Sequence, residues 1–89
     1  IELYTESYAA NYKSDREKAI SRYIKVAELA KNLDLGLNAG HDLNLENLKY
    51  FSSNIMNLKE VSIGHALIAD ALNYGMENTV NMYLRELRK

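Results

Sequence analysis

The spacing of hydrophobic and polar positions switches three times from a strand-like to a helix-like period along this chain. Ile1-Glu2-Leu3-Tyr4-Thr5 is β-prone, with Glu2 turned away from Ile1 and Leu3, and it predicts a first strand. A polar connection follows from Glu6 to Lys13. Ser14-Asp15-Arg16-Glu17 then has the spacing of a capping box, in which the Ser oxygen and the Glu carboxylate satisfy free helix amides reciprocally, and it marks a helix start. Ile20, Tyr23, Ile24, Ala27 and Ala30 recur at steps of three and four, so this helix presents one apolar face to a sheet until Asn32. After a glycine-bearing turn, Leu35-Gly36-Leu37-Asn38-Ala39 is too short for a helix and reads as a buried strand. Asn44 caps a short helix carrying Leu45, Leu48 and Phe51, and Ser52-Ser53-Asn54 has loop composition. Val61-Ser62-Ile63 is the third strand. The run from Ala66 to Leu72 forms a helix ending near Gly75, and Met76, Val80, Tyr83, Leu84 and Leu87 line a final amphipathic helix.

Strand and helix therefore alternate in units of roughly 30 residues, with a closing helix, which predicts an α/β fold with a parallel sheet and right-handed crossovers. In such folds function gathers at the carboxyl ends of the strands. The chain has 89 residues, no proline and 47% apolar content, which fits one globular domain and argues against disorder. Three strands would nevertheless leave two sheet edges and an apolar inner face uncovered, a poor way to bury a core. With Ile1 already strand-like and no initiator Met, the expectation is a segment of a longer domain.

A net charge of −1, from 11 basic and 12 acidic residues spread along the chain, disfavours nucleic acid and anionic lipid as partners. The absence of cysteine excludes disulfides and thiolate metal sites and fits a reducing compartment, with the cytoplasm as the default expectation. No stretch has the length of a membrane span and no signal peptide is visible. Two histidines 24 positions apart with one acidic companion do not make a metal-ligand signature, and no cofactor is implied. Tyr23 and Tyr83 fall on core faces of helices, whereas Tyr8 and Tyr12 fall in the polar connection, and the seven tyrosines form no stacking cluster. Arg85, Glu86, Arg88 and Lys89 suit a helix carboxyl terminus.

Two turns carry the chemistry. Asn38-Ala39-Gly40-His41-Asp42 and Ser62-Ile63-Gly64-His65-Ala66 each end a strand and open a helical segment, placing an imidazole beside free backbone N–H groups. Glycine lets a ligand approach the backbone at both. Glu2, His41 and His65 form an acid–base set on three neighbouring strands, and a carboxylate inside the first strand is tolerated where it faces a polar lumen. These features fit a phosphate-binding site at the strand ends. A free-standing interaction module whose turns only start helices, and another phosphate-binding barrel enzyme, are the competing readings.

In order and spacing, Ile1-Glu2-Leu3-Tyr4-Thr5, Asn38-Ala39-Gly40-His41 and Ile63-Gly64-His65-Ala66 resemble the C-terminal part of the pyridoxine 5′-phosphate synthase family. The resemblance covers residues 1–89 and implies strands six, seven and eight of a (β/α)₈ TIM barrel, with their helices and a closing C-terminal helix. It implies condensation of 3-amino-2-oxopropyl phosphate with 1-deoxy-D-xylulose 5-phosphate, giving pyridoxine 5′-phosphate, phosphate and water. Under it His41 matches the proton donor and Glu2 a carboxylate that stabilises the transition state. Gly64, His65 and the position after the donor, here Asp42, match residues that bind the aminooxopropyl phosphate. Glycine is expected at that last position in many members. The expectation for Asp42 is therefore a contact through its backbone N–H, with the side chain turned out as a cap. The general bases, a histidine and a glutamate, and the substrate-clamping arginines belong to earlier strands. Residues 1–89 alone are thus expected to be inactive, and the family forms homo-oligomers.

Overall fold

A computed structural model describes residues 1–87, so the terminal charges expected of Arg88 and Lys89 lie outside the described residues. Chain order is β1 (Glu2–Tyr4), α1 (Glu6–Asn32), β2 (Leu37–Gly40), α2 (Leu48–Asn54), β3 (Leu58–Ser62), α3 (His65–Tyr74) and α4 (Met76–Glu86). The three strands form one parallel sheet in the order β1-β2-β3, as their alternation with helices requires. Leu3 pairs with Ala39, and Ala39 with Val61, while Tyr4, Gly40 and Ser62 lie side by side at the carboxyl ends. None of the described helices is long and apolar enough to cross a membrane.

Side chains alternate along a strand, and the two faces of this sheet are unlike each other. Leu3, Leu37 and Ala39 are buried under α1 and α2, where they meet Ile20, Tyr23, Ala27, Ala30, Leu48 and Phe51. Glu2, Tyr4, Asn38, Glu60 and Ser62 occupy the other face and are exposed. That face was expected to be apolar. Its residues are mainly polar, because the strand positions that alternate with the leucines and alanines carry Glu, Asn and Ser.

Helix α1 begins at Glu6, eight positions before the expected start, and is two helical pieces joined at an extended Asp15 (φ −162°, ψ 90°). The break is a true helix start, displaced by one residue: Asp15 Oδ1 accepts the Lys18 N–H at 3.1 Å, whereas Ser14 Oγ donates back to the Asn11 carbonyl. The segment expected to be a polar connection is helical because of its tyrosines. Tyr8 is fully buried, and its ring lies 5.0 Å from Phe51 and 5.6 Å from Tyr12, between centroids. Tyr23 meets Phe51 at 5.6 Å and Tyr12 meets Tyr50 at 6.1 Å. The tyrosines thus do cluster, as edge-to-face pairs inside the core and not as an open platform. Tyr23 and Tyr83 are buried on their helices as expected.

Carboxyl-terminal to α1, Asp34 adopts φ 59° and donates its N–H to Lys31 O, while Leu35 N–H reaches Ala30 O at 2.8 Å. This pair of bonds closes the helix in the Schellman manner, with Asp34 in place of the usual glycine. At the other end of the chain, Gly75 alone separates α3 from α4 at φ 84°, a conformation that a side chain would strain. Tyr83 of α4 donates to Asp70 Oδ2 of α3 at 2.8 Å and ties the two helices together. Helix α3 buries no residue, and Leu72 is 85% exposed.

Candidate active site

Parallel strands in register bring their carboxyl ends to one side of the sheet, and there a cavity of about 570 Å³ opens. Glu2, Gly40, His41, Asp42, Gly64 and His65 all line it. All five residues singled out from the sequence thus line one cavity. Glu2 reaches it from the polar face of β1. The two histidines reach it from the turns that follow β2 and β3.

The first turn is braced on both sides. His41 and Asp42 have left-handed backbones, with φ of 87° and 63°, a conformation costing about 1–2 kcal/mol per residue that neighbouring contacts must offset. Thr5, fully buried just past β1, supplies contacts on one side. Its N–H donates to Gly40 O at 2.8 Å, and its hydroxyl lies within donating distance of the Gly40 carbonyl, at 2.8 Å, and of the His41 carbonyl. Asn47 supplies contacts on the other side. Its Nδ2 donates to Asp42 O at 3.2 Å and its Oδ1 accepts Asn44 N–H, while the Tyr8 hydroxyl donates to Asn47 O. Burial pushes the Tyr8 phenol well above its ordinary range, with Tyr12 and Tyr50 adding to the push, so the donor stays protonated.

Around the His41 ring, Glu6 Oε1 lies 3.7 Å from Nδ1, and the Tyr4 ring meets the imidazole edge-on at 4.9 Å between centroids. Gly40 lets the strand ends meet closely, since a Cβ there would stand 3.3 Å from Ser62 Cβ and press on it. Asp42 differs from expectation in one respect. Among the described residues its side chain caps nothing; Asn44 Oδ1 instead accepts the N–H groups of Glu46 and Asn47, both at 2.9 Å, in the turns ahead of α2, whose N-cap Asn47 makes no side-chain cap bond.

The second turn has no such braces. Gly64 is the N-cap of α3, without a side-chain cap, and the first helical bond runs from Ile68 N–H to Gly64 O at 3.2 Å. The amides of the first helical turn are therefore uncapped by a side chain, Gly64, His65 and Ala66 line the cavity, and a Cβ on Gly64 would meet nothing within 4 Å. Aligned free amides favour an anion. Sequence reasoning missed Thr5, Glu6, Asn47 and Tyr8 as parts of the site. A buried threonine and tyrosine flanking an acidic first turn are visible only once the turn after β2 is seen folded onto them.

Among the described residues no group of three or more His, Asp or Glu side chains is placed to hold a metal ion. The family described as "Pyridoxal phosphate biosynthesis protein PdxJ" matches residues 1–89. Curated relatives named pyridoxine 5′-phosphate synthase include those of Cytophaga hutchinsonii, 62% identical over 89 residues, and Parabacteroides distasonis, 63% identical over 83 residues. Another, from Flavobacterium johnsoniae, is 56% identical over 88 residues. These matches cover 100%, 93% and 99% of this chain, but the chain spans only 35–37% of the length of each relative.

Proposed function

The chain belongs to the PdxJ family of pyridoxal phosphate biosynthesis proteins, and on that footing we propose that it is part of a pyridoxine 5′-phosphate synthase, forming the last three βα units of its barrel. A parallel sheet is ordinarily covered on both faces. The sheet here is covered on one, and its open face is polar, as befits the lumen of a barrel whose other strands lie elsewhere in the enzyme. The apolar Ile68, Leu72, Val80 and Leu84, exposed on α3 and α4, suit the subunit contacts of a homo-oligomer.

The observation that carries the reading is the convergence of Glu2, His41, Asp42, Gly64 and His65 on one cavity at the strand ends. In the proposed reaction, 3-amino-2-oxopropyl phosphate seats its phosphate at the open amides of Gly64 and His65, with Asp42 contributing its backbone N–H. The condensation with 1-deoxy-D-xylulose 5-phosphate loses water, and each dehydration needs a proton at the departing oxygen. His41 supplies it as general acid. Glu2, facing the same cavity, stabilises the positive charge that develops on the condensing nitrogen. The general bases come from the earlier strands.

Steady-state kinetics of the full-length enzyme carrying this segment test the proposal. The wild type is expected to form pyridoxine 5′-phosphate from the two phosphorylated substrates, and Glu2→Gln to lower kcat by about 10²–10³-fold. No product from the wild type, or a Glu2→Gln enzyme of full kcat, would overturn it.

A further inference from the structure

We propose that Glu6 is a positioning residue for His41, selecting which ring nitrogen faces the substrate. The inference rests on the reading of His41 as the proton donor and goes beyond it. Glu6 opens α1 immediately after Thr5, so the segment that fixes the His41 backbone also delivers a carboxylate to its ring. Tyr4, Thr5 and Glu6 divide the work. Tyr4 sets the plane of the imidazole by an edge-on contact (87° between planes), Thr5 holds the carbonyl, and Glu6 Oε1 faces Nδ1 at 3.7 Å.

Among the described residues Glu6 is the one carboxylate within 4 Å of a His41 ring nitrogen, and no hydrogen bond takes up either nitrogen. The other charged or titratable groups nearby are Glu2 and His65, which line the same cavity, and Asp42, the next residue. None of them forms an ion pair with the ring. At 3.7 Å the contact is longer than a hydrogen bond, so Glu6 acts through its charge, which favours a hydrogen over a lone pair on the facing Nδ1 and leaves Nε2 for chemistry. In the imidazolium form Nε2–H is then the transferable proton. The C–O bond of the departing hydroxyl breaks with its electron pair on oxygen, the Nε2 proton joins that oxygen, and water leaves. The ring is left neutral with its hydrogen on Nδ1, still facing Glu6. The logic is that of an acid that orients a histidine without itself being protonated.

The test uses the full-length enzyme, because Glu6 touches no substrate in this scheme and must act through His41. Glu6→Ala is expected to lower kcat about tenfold with KM unchanged. ¹⁵N NMR of the ring is expected to show neutral His41 moving from the Nδ1–H toward the Nε2–H tautomer. In a His41→Asn background, Glu6→Ala should cost nothing further. Glu6→Gln, which keeps the shape of the side chain, and an unchanged melting temperature for both variants guard against a folding defect. An unchanged tautomer, a raised KM at full kcat, or an equal loss in the His41→Asn background would overturn the proposal while leaving the donor reading intact. Full kcat in His41→Asn alone would overturn both.

Discussion

The two Gly-His turns share a dipeptide, a place at the end of a strand and a cavity, yet they are built in opposite ways. At Gly40-His41 the backbone is driven into a left-handed conformation and held there by a buried threonine, an asparagine and, behind it, a buried tyrosine. At Gly64-His65, among the described residues, no side-chain hydrogen bond holds the turn, and backbone amides are what it offers. On the proposed roles, the contrast gives one motif two chemistries. A proton donor needs a fixed direction, so its ring must be positioned by neighbours; an anion needs donors, and an uncapped helix start provides them without further machinery.

The sharpest way to break this comparison is to exchange the same substitution between the turns. His41→Asn is expected to lower kcat by about 10²–10⁴-fold with little change in KM, since asparagine keeps a polar contact but transfers no proton. His65→Asn is expected to raise KM and spare kcat. Equal effects at both positions in steady-state kinetics would erase the division of labour.

A smaller effect is expected at Thr5, the main brace of the first turn. Thr5→Val keeps the shape and the backbone bond to Gly40 O but removes the hydroxyl donor that the Gly40 and His41 carbonyls share, which should cost about 1 kcal/mol in a urea titration. Thr5→Ser should recover most of it. The nearest counterpart at the second turn is the exposed Ser62, where Ser62→Ala should stay within about 0.5 kcal/mol.

Tyr8 makes the brace sensitive to alkali. Burial raises its phenol above the ordinary value of 10.0, so the folded form disfavours ionisation that the unfolded chain accepts. Stability from this group is complete below the unfolded value and is lost as pH rises from there toward the higher folded value. Above about pH 10 the loss should approach 1.4 kcal/mol per pH unit for each such tyrosine. Denaturation on either side of that pH should show a shallower loss in Tyr8→Phe than in the wild type. Tyr83, raised by burial and by its bond to Asp70, accounts for a slope that remains.

The finest comparison uses the glycines. Gly40→Ala presses a methyl group against Ser62 and should cost about 1 kcal/mol. Gly64→Ala meets open space, so its melting temperature should stay near the wild type while affinity for inorganic phosphate falls, as read by calorimetry. A stability loss at Gly64 larger than that at Gly40 would contradict the braced and open descriptions.

Much of this architecture was legible in the pattern of residues. The strands, their parallel order and the placement of Glu2, His41 and His65 at one end follow from apolar runs, turn residues and the period of two or 3.6. The first piece of α1 was not legible, because its anchors are Tyr8 and Tyr12, four apart in a polar setting. A phenol counts as half polar until its hydroxyl is seen to find a carbonyl such as that of Asn47. The capping residue was displaced from Ser14 to Asp15 for a similar reason: both side chains can cap, and only the folded kink decides between them. Thr5 and Glu6, which hold the His41 backbone and face its ring, lie 35 or more positions away along the chain, beyond what local spacing reports.

The polar face of the sheet bears on how the proposed enzyme handles solvent. Glu2, Asn38, Glu60 and Ser62 gain little by leaving water, since the driving force of roughly 25 cal/mol per Å² applies to apolar area alone. In the proposed barrel, strands joining β1 and β3 would be held through backbone pairing at the sheet edges and through the helical layer outside, with little apolar gain from this inner face. The condensation proposed for the whole enzyme, which expels water and phosphate, would then run against polar side chains at the strand ends and not against an apolar wall.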